Sequence, residues 1–356
     1  MTYRFIWINV ILIIIVFASL TSCESVSYYG KIISGQMTIL NKRQPIKKLL
    51  AEPLTPKRLK TQLGHVLDIR KFAKNELGLP VKDQYLNFAD LKRPFAVWNV
   101  FAAPEFSLTP KQWCHPVIGC ASYRGYFSRN DAYNYADRAT EQGYDVFISG
   151  VVAYSTLGWF DDPVLNTFIY RKDYRLAALI FHELAHHLIY VASDTAFNES
   201  FATLVEQEGV RRWLSQSGNP EAFREYETNY LRRRQFIQLI VKYRRQLELL
   251  YTKNLSPADK RRDKALIFDK LRSEFKRTKE QWQGYSGYDG WFRHPLNNAQ
   301  MASVSIYNDL VPAFDAMLQD SGNDLKLFYR TCQNLAKKPK EERRMYLDQY
   351  LNLNSP

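Results

Sequence analysis

Histidine is scarce in this chain, six residues in 356, yet three of the six stand within the stretch LIFHELAHHLIYV, residues 179–191. Cysteine is scarcer at four, and acids are outnumbered, 36 against 49 lysines and arginines. No internal repeat or low-complexity linker is present, which excludes a repeat array and leaves one large domain, or a domain with an appendage. No nucleic-acid motif accompanies the net charge of +13, so nucleic acid is not an expected partner. Most of that charge reads as a solvated surface, and near anionic lipid it would favour surface attachment. No apolar run reaches the roughly 20 residues of a membrane helix; the longest, Phe5–Leu20, has 16. What is present is a composition 46% hydrophobic, enough to bury a substantial core.

The 16-residue run follows a single Arg4 and ends in LTSC, the form of a signal-peptide apolar region. Leu20-Thr21-Ser22-Cys23 resembles a bacterial lipobox, in which Cys23 would be lipidated and become the first mature residue. By the same resemblance, Glu24 after the cysteine favours the outer membrane, facing the periplasm. Residues 1–22 are thus expected to be a signal peptide and 23–54 an anchor with an N-terminal helix. Residues 55–356 would form the main domain. Export agrees with the remaining cysteines. Cys114 and Cys120 bracket a Pro and a Gly at a spacing that closes a small disulfide loop in an oxidising compartment. Cys332 is left as a buried thiol.

The stretch at 179–191 puts an acid and imidazoles into an otherwise apolar helix, where an unpartnered charge is expensive. A metal ion is one partner that offsets the cost. His182 and His186 are four residues apart, so on a helix they differ by about 40° and roughly 6 Å of rise, and both imidazoles reach one cation. Glu183 stands beside it. This is H-E-x-x-H, in which two histidines hold zinc and the glutamate is general base for water. Chance would give only about 0.01 such patterns in a chain with this many histidines and acids. His187 projects about 100° from His186, so it is expected to be a hydrogen-bonded core residue or a support behind a ligand.

The remaining pattern predicts an α+β, predominantly helical fold. A helix is expected from Thr55, as cap, to Gly78, with Leu59, Leu63, Val66, Phe72 and Leu77 on its apolar face and His65 structural. Strands are expected at 95–102, 122–127 and 145–160, with a helix at 131–142, giving a small mixed sheet packed on the H-E-x-x-H helix. Two long helices, about 221–253 and 257–282, are capped at Ser256 and form an antiparallel hairpin through Phe236, Leu239, Ile240, Tyr243 and Leu247 against Ile267, Leu271 and Phe275.

A tetrahedral zinc needs a third protein ligand. Glu199, 13 residues after His186, begins a second helix and is the favoured candidate. Glu206, seven residues on, lies on the same face and would orient a ligand histidine or replace Glu199. The blocks HELAHH, DTAFNESFATLVEQEG, AYSTLGWFDDPV and YRGYF, together with the lipobox, resemble the bacterial family of predicted zinc aminopeptidases of envelope lipoproteins. The resemblance runs from about Tyr28 to residue 315. It implies a zincin-like H-E-x-x-H fold, Zn2+ as cofactor, a peptide substrate, His182, His186 and Glu199 as ligands, and Glu183 as base. The gap from His186 to Glu199 is shorter than in thermolysin-like peptidases, so ligands do not carry over from those by spacing.

Glu183 would take a proton from the activated water and pass it to the leaving amine. The oxyanion needs another donor, and GYSGYDGWFRHPLNN offers Tyr285, Tyr288, Arg293 and His294, of which His294 is the candidate retained. The strand ahead of the zinc helix would align an extended peptide, with Tyr154 near the cleft. An aminopeptidase also needs a carboxylate for the substrate's amine, and Glu105, Asp161, Asp162, Glu206 and Glu208 are all open. Two alternatives stand beside this reading. One is an endopeptidase acting on envelope proteins. The other is a non-catalytic lipoprotein binding a partner through its basic helical surface.

Overall fold

The computed structural model describes residues 23–115, 119–153, 156, 160–306 and 309–353. Residues 1–22 and Tyr154 lie outside them, and with them the signal-peptide and Tyr154 readings. The expected N-terminal helix is two pieces, α1 (Cys23–Asn41) and α2 (Ile46–Ala51), separated by the short strand β1 (Gln44–Pro45). The break has a local cause. Pro45 has no N–H to donate and fixes its own φ, so it ends one element and starts the next. Helix α3 (Lys57–Asn75) buries Leu59, Leu63, Val66 and Phe72 as the periodicity requires, and Gly78 follows at φ +66°. It begins after Pro56 without a capping side-chain hydrogen bond, so Thr55 does not perform the expected cap.

Three small sheets follow among the described residues. Strand β2 (Asn87–Ala89) pairs with β1 and, in parallel, with β8 (Val164–Leu165). Strand β3 (Val97–Pro104) is central to an antiparallel sheet, between β6 (Arg124–Tyr126) and β7 (Tyr144–Val151). Helix α4 (Arg129–Glu141) packs across it. The strand expected to run to residue 160 ends at Val151; Val151 still bonds to Ala96, but the chain then turns away, with Val152 accepting from Thr167. Strands β4 (Trp113–His115) and β5 (Gly119–Ala121) form a hairpin joined by the Cys114–Cys120 disulfide.

From residue 173 the described chain is helical. Helix α5 (Asp173–Leu188) carries H-E-x-x-H, and α6 (Thr195–Ser217) returns alongside it. Helices α7 (Pro220–Tyr251) and α8 (Pro257–Gln281) form the expected hairpin, with Ser256 accepting from the Asp259 N–H as cap. Phe236, Leu239, Ile240, Tyr243 and Leu247 share one apolar cluster with Leu271 and Phe275, and Ile267 packs on it. The short helices α9 (Asp289–Phe292), α10 (Asn298–Ile306), α11 (Val311–Asp320), α12 (Leu325–Ala336) and α13 (Lys340–Leu353) complete the fold.

The seam between α5 and α6 is the core's centre. Leu176, Ala177, Ile180, Phe181 and Leu184 of α5 are fully buried, as are Phe201 and Ala202 of α6. Gly209 lets the helices approach: a Cβ there would stand 2.7 Å from the Phe181 ring and 2.8 Å from Leu77. Gly209→Val gains a few tenths of a kcal/mol in helix propensity but overpacks this contact, so a net loss of about 1–3 kcal/mol is expected. A urea midpoint equal to that of the parent would show that the seam is not closely packed there.

Candidate metal centre

Helix α5 has two faces. Leu176, Ala177, Ile180, Phe181, Leu184 and Ala185 go to the core. Arg175, Leu179, His182, Glu183 and His186 instead line a cleft of about 650 Å³. The recurrence of the second set at three- and four-residue steps is the helical period, so one helix supplies a wall of the core and a row of chemistry. The reversal into α6 is fixed by side chains. Ser193 takes φ +64°, Asn198 bonds both Val191 N–H and Val191 C=O at 2.8 Å, and Asp194 accepts from the Phe197 N–H as cap. Arg343 on α13 holds the buried Asp194 carboxylate at 2.6 Å. The disulfide hairpin docks here too, its Cys120 N–H donating to Ser193 Oγ.

This turn brings Glu199, in the second turn of α6, against both histidines. Its Oε2 lies 3.3 Å from His182 Nε2 and 3.8 Å from His186 Nε2. Glu206, two turns further along α6, takes the other side of His182, with Oε2 3.1 Å from Nδ1, and its Oε1 accepts from Arg233 at 3.3 Å. Burial alone would hold His182 neutral, but hydrogen bonds and charge from Glu199 and Glu206 outweigh it and lift its pKa to about 10. Burial holds His186 down, to about 4. Burial pushes Glu183 up to about 7, against the pull of His182. Glu199 and Glu206 are both held low: burial opposes this, and the hydrogen bond from His182 prevails.

These three groups suit a cation. The ligand atoms of His182, His186 and Glu199 all lie within 4.8 Å of one another. Around a tetrahedral ion with bonds of about 2.1 Å, ligand atoms are separated by roughly 3.4 Å, close to the distances between Glu199 and the two histidines. His186 makes the stronger case. It is 8% exposed, its Nδ1 has no hydrogen-bond partner among the described residues, and its Nε2 stands beyond hydrogen-bond reach of Glu199. A buried imidazole without bonds costs about 1–3 kcal/mol unless something takes its lone pair. The Glu206 contact on His182 Nδ1 is the carboxylate–histidine arrangement that orients a metal-ligating ring.

Residues 27–347 match the model of a family described as "Putative aminopeptidase". The chain belongs to that family. No curated protein and no solved structure matches it. Membership of this aminopeptidase family points to a peptidase acting on peptides.

Other expected residues are dispersed. His294 is exposed and absent from the cleft lining: Arg272 bonds the carbonyls of Phe292 and His294, drawing that segment onto α8, while Tyr285, Gly287 and Tyr288 from just before it reach the cleft. His187 faces Asp162 across 3.8 Å, away from Glu199. Asp162 is buried and accepts from Thr156, Glu105 pairs with exposed Arg261, and Glu208 pairs with Arg211 and Arg212. Tyr123 and Tyr190 line the cleft unforeseen. Burial and then the charge of Glu199 raise both phenols' pKa values, so both keep an O–H to donate. Tyr123 opens the block YRGYF and Tyr190 stands in the stretch 179–191, but nothing in either pattern marks the tyrosine as a cleft residue.

Glu206→Gln is expected to weaken binding of a divalent ion about 10- to 100-fold by removing the carboxylate behind His182. Competition with a chromophoric chelator reads this directly, and parental affinity in the variant would remove Glu206 from the centre.

Proposed function

We propose that this chain is a zinc-dependent peptidase with His182, His186 and Glu199 as ligands and Glu183 as general base. The observation that carries the reading is the His186 imidazole, buried beside Glu199 with neither nitrogen hydrogen-bonded among the described residues. In such a site a bound zinc supplies Lewis-acid polarisation of the scissile carbonyl and brings the pKa of water towards about 7. The zincin-like designation rests on the motif and on α6 returning antiparallel to α5 with the third ligand.

The chain's own residues do the rest. Glu183 lines the cleft one position from His182, with burial keeping its carboxylate near the proton affinity that a base working at neutral pH requires. It takes the proton from water and returns it to the leaving amine. Tyr123 and Tyr190, protonated and near Glu199, are the O–H groups that would donate to a developing oxyanion, in place of His294, which does not reach the cleft. Strand β7 is an edge strand, and the residues that continue it, Val152 and Ala153, line the cleft with Val151. An extended peptide adding to that edge would be delivered to the centre.

The family's name suggests action at a free amino terminus. A carboxylate clamp for that amine is not spare in this cleft. Its lining acids among the described residues are Glu183, Glu199 and Glu206, all engaged in the centre. This favours the endopeptidase alternative over strict aminopeptidase specificity. The partner-binding alternative has less support, because a purely structural metal site needs no Glu183. The cellular setting of the reading is an envelope lipoprotein, anchored through Cys23 at the outer membrane and facing the periplasm. Its support is the 16-residue apolar run and the LTSC tetrad.

Glu183→Gln is expected to retain the metal and lose at least about 10²-fold in kcat/KM on a peptide substrate. Parental turnover in that variant, with metal content unchanged, would sink the mechanism.

A further inference from the structure

The cleft wall carries cations as well as the metal centre. Arg171, just ahead of α5, and Arg175, in its first turn, both line the cleft that holds His182, Glu183 and His186. No carboxylate among the described residues pairs with either. Glu225 on the neighbouring helix, whose charge reaches Arg175, is bonded instead by Lys172 at 2.7 Å and by the Tyr174 hydroxyl at 3.0 Å. Arg175 Nε donates to the Tyr174 oxygen at 3.2 Å and its guanidinium also bonds the Tyr285 hydroxyl, so its side-chain partners are phenols, and neither is a carboxylate. Arg233, the third arginine of the lining, is already balanced by Glu206. The lining acids are likewise all gathered at the metal end. The cleft is therefore electrically polarised, with carboxylates around the centre and, at the other end, guanidinium groups that feel Glu206 and Glu225 without pairing directly with either.

Spacing relates the two ends. Arg175 and His182 are seven residues apart on α5, two turns within about 20°, so they share a face with roughly 10 Å of rise between them. Extended peptide advances about 3.3 Å per residue, so that rise corresponds to about three residues. A guanidinium fork matches the two oxygens of a carboxylate, and both arginines are exposed enough to be reached.

Resting on the peptidase reading, we infer that Arg171 and Arg175 form a subsite for a substrate carboxylate lying about three residues from the scissile bond. The carboxylate is either the peptide's own C-terminus or an acidic side chain. The substrate class is then short or acidic peptides, selected by an anionic group rather than by a free amine.

The test is equilibrium binding to the full chain loaded with zinc and carrying Glu183→Gln, which prevents turnover. Four probes suffice: N-acetyl-pentaalanine as acid and as amide, and the amide with Glu or with Gln at its third position. Calorimetric titration is expected to show the acid, or the Glu-containing amide, binding about 10- to 100-fold more tightly than its neutral counterpart. Which pair differs identifies the source of the carboxylate. In Arg171→Gln/Arg175→Gln the difference should vanish, and Arg171→Lys/Arg175→Lys should restore part of it, which a merely structural role would not do. Equal binding of all four probes, absence of binding included, overturns the inference, as does a preference that survives in the glutamine double variant. The underlying reading is judged separately, by hydrolysis of these peptides with intact Glu183. If that fails, the peptidase reading falls whichever way binding comes out.

Discussion

Two carboxylates, the buried Glu199 and the half-buried Glu206, close on the single imidazole of His182 across the seam of α5 and α6. Bringing that much negative charge out of water is costly without a counter-charge. The surrounding structure holds the arrangement in place. Gly209 lets the two helices come close, Asn198 and Asp194 fix the turn that reverses the chain, and Arg343 balances Asp194 from the far end of the sequence. The disulfide hairpin leans on the same turn through Ser193. A cation held by His182, His186 and Glu199, as proposed, would offset the surplus of carboxylate and take up the His186 lone pair.

Much of this was legible in the primary structure, and for identifiable reasons. The i, i+4 histidines with an intervening glutamate are a local pattern on one helix, and local patterns survive translation into three dimensions. Glu199 and Glu206 required only that a helix follow a short turn, because seven residues return to the same face. The α7–α8 hairpin was readable from its apolar periodicity and from Ser256 with Pro257. The same logic failed where placement depended on distant elements. His294 was judged by residue type, but Arg272, on another helix, draws its backbone out of the cleft. Val151 ends a strand whose hydrophobic run continues, because the following backbone bonds to Thr167 instead. Tyr123 and Tyr190 come to one cleft from a sheet margin and a helix end, a juxtaposition with no signature along the chain.

The cleft joins three devices of different origin. The helix α5 face supplies His182, Glu183, His186 and Arg175, the proposed ligands, base and selecting arginine; the margin of β7 supplies Val151; the segment before α9 contributes Tyr285 and Tyr288 as a further wall. In the proposed reading, catalytic and selective parts share α5, with chemistry towards its C-terminal end and charge selection at its start. This division explains how a strongly basic protein keeps a negatively charged centre: the two signs are separated along one helix.

The most direct test of the central claim is the metal content of the purified folded chain, compared with His186→Ala and Glu199→Ala. The account predicts about one zinc per chain in the parent and its loss in both variants. A folded parent with no bound zinc after equilibration with the ion, or variants that retain it, would contradict the assignment of His182, His186 and Glu199 as one metal centre.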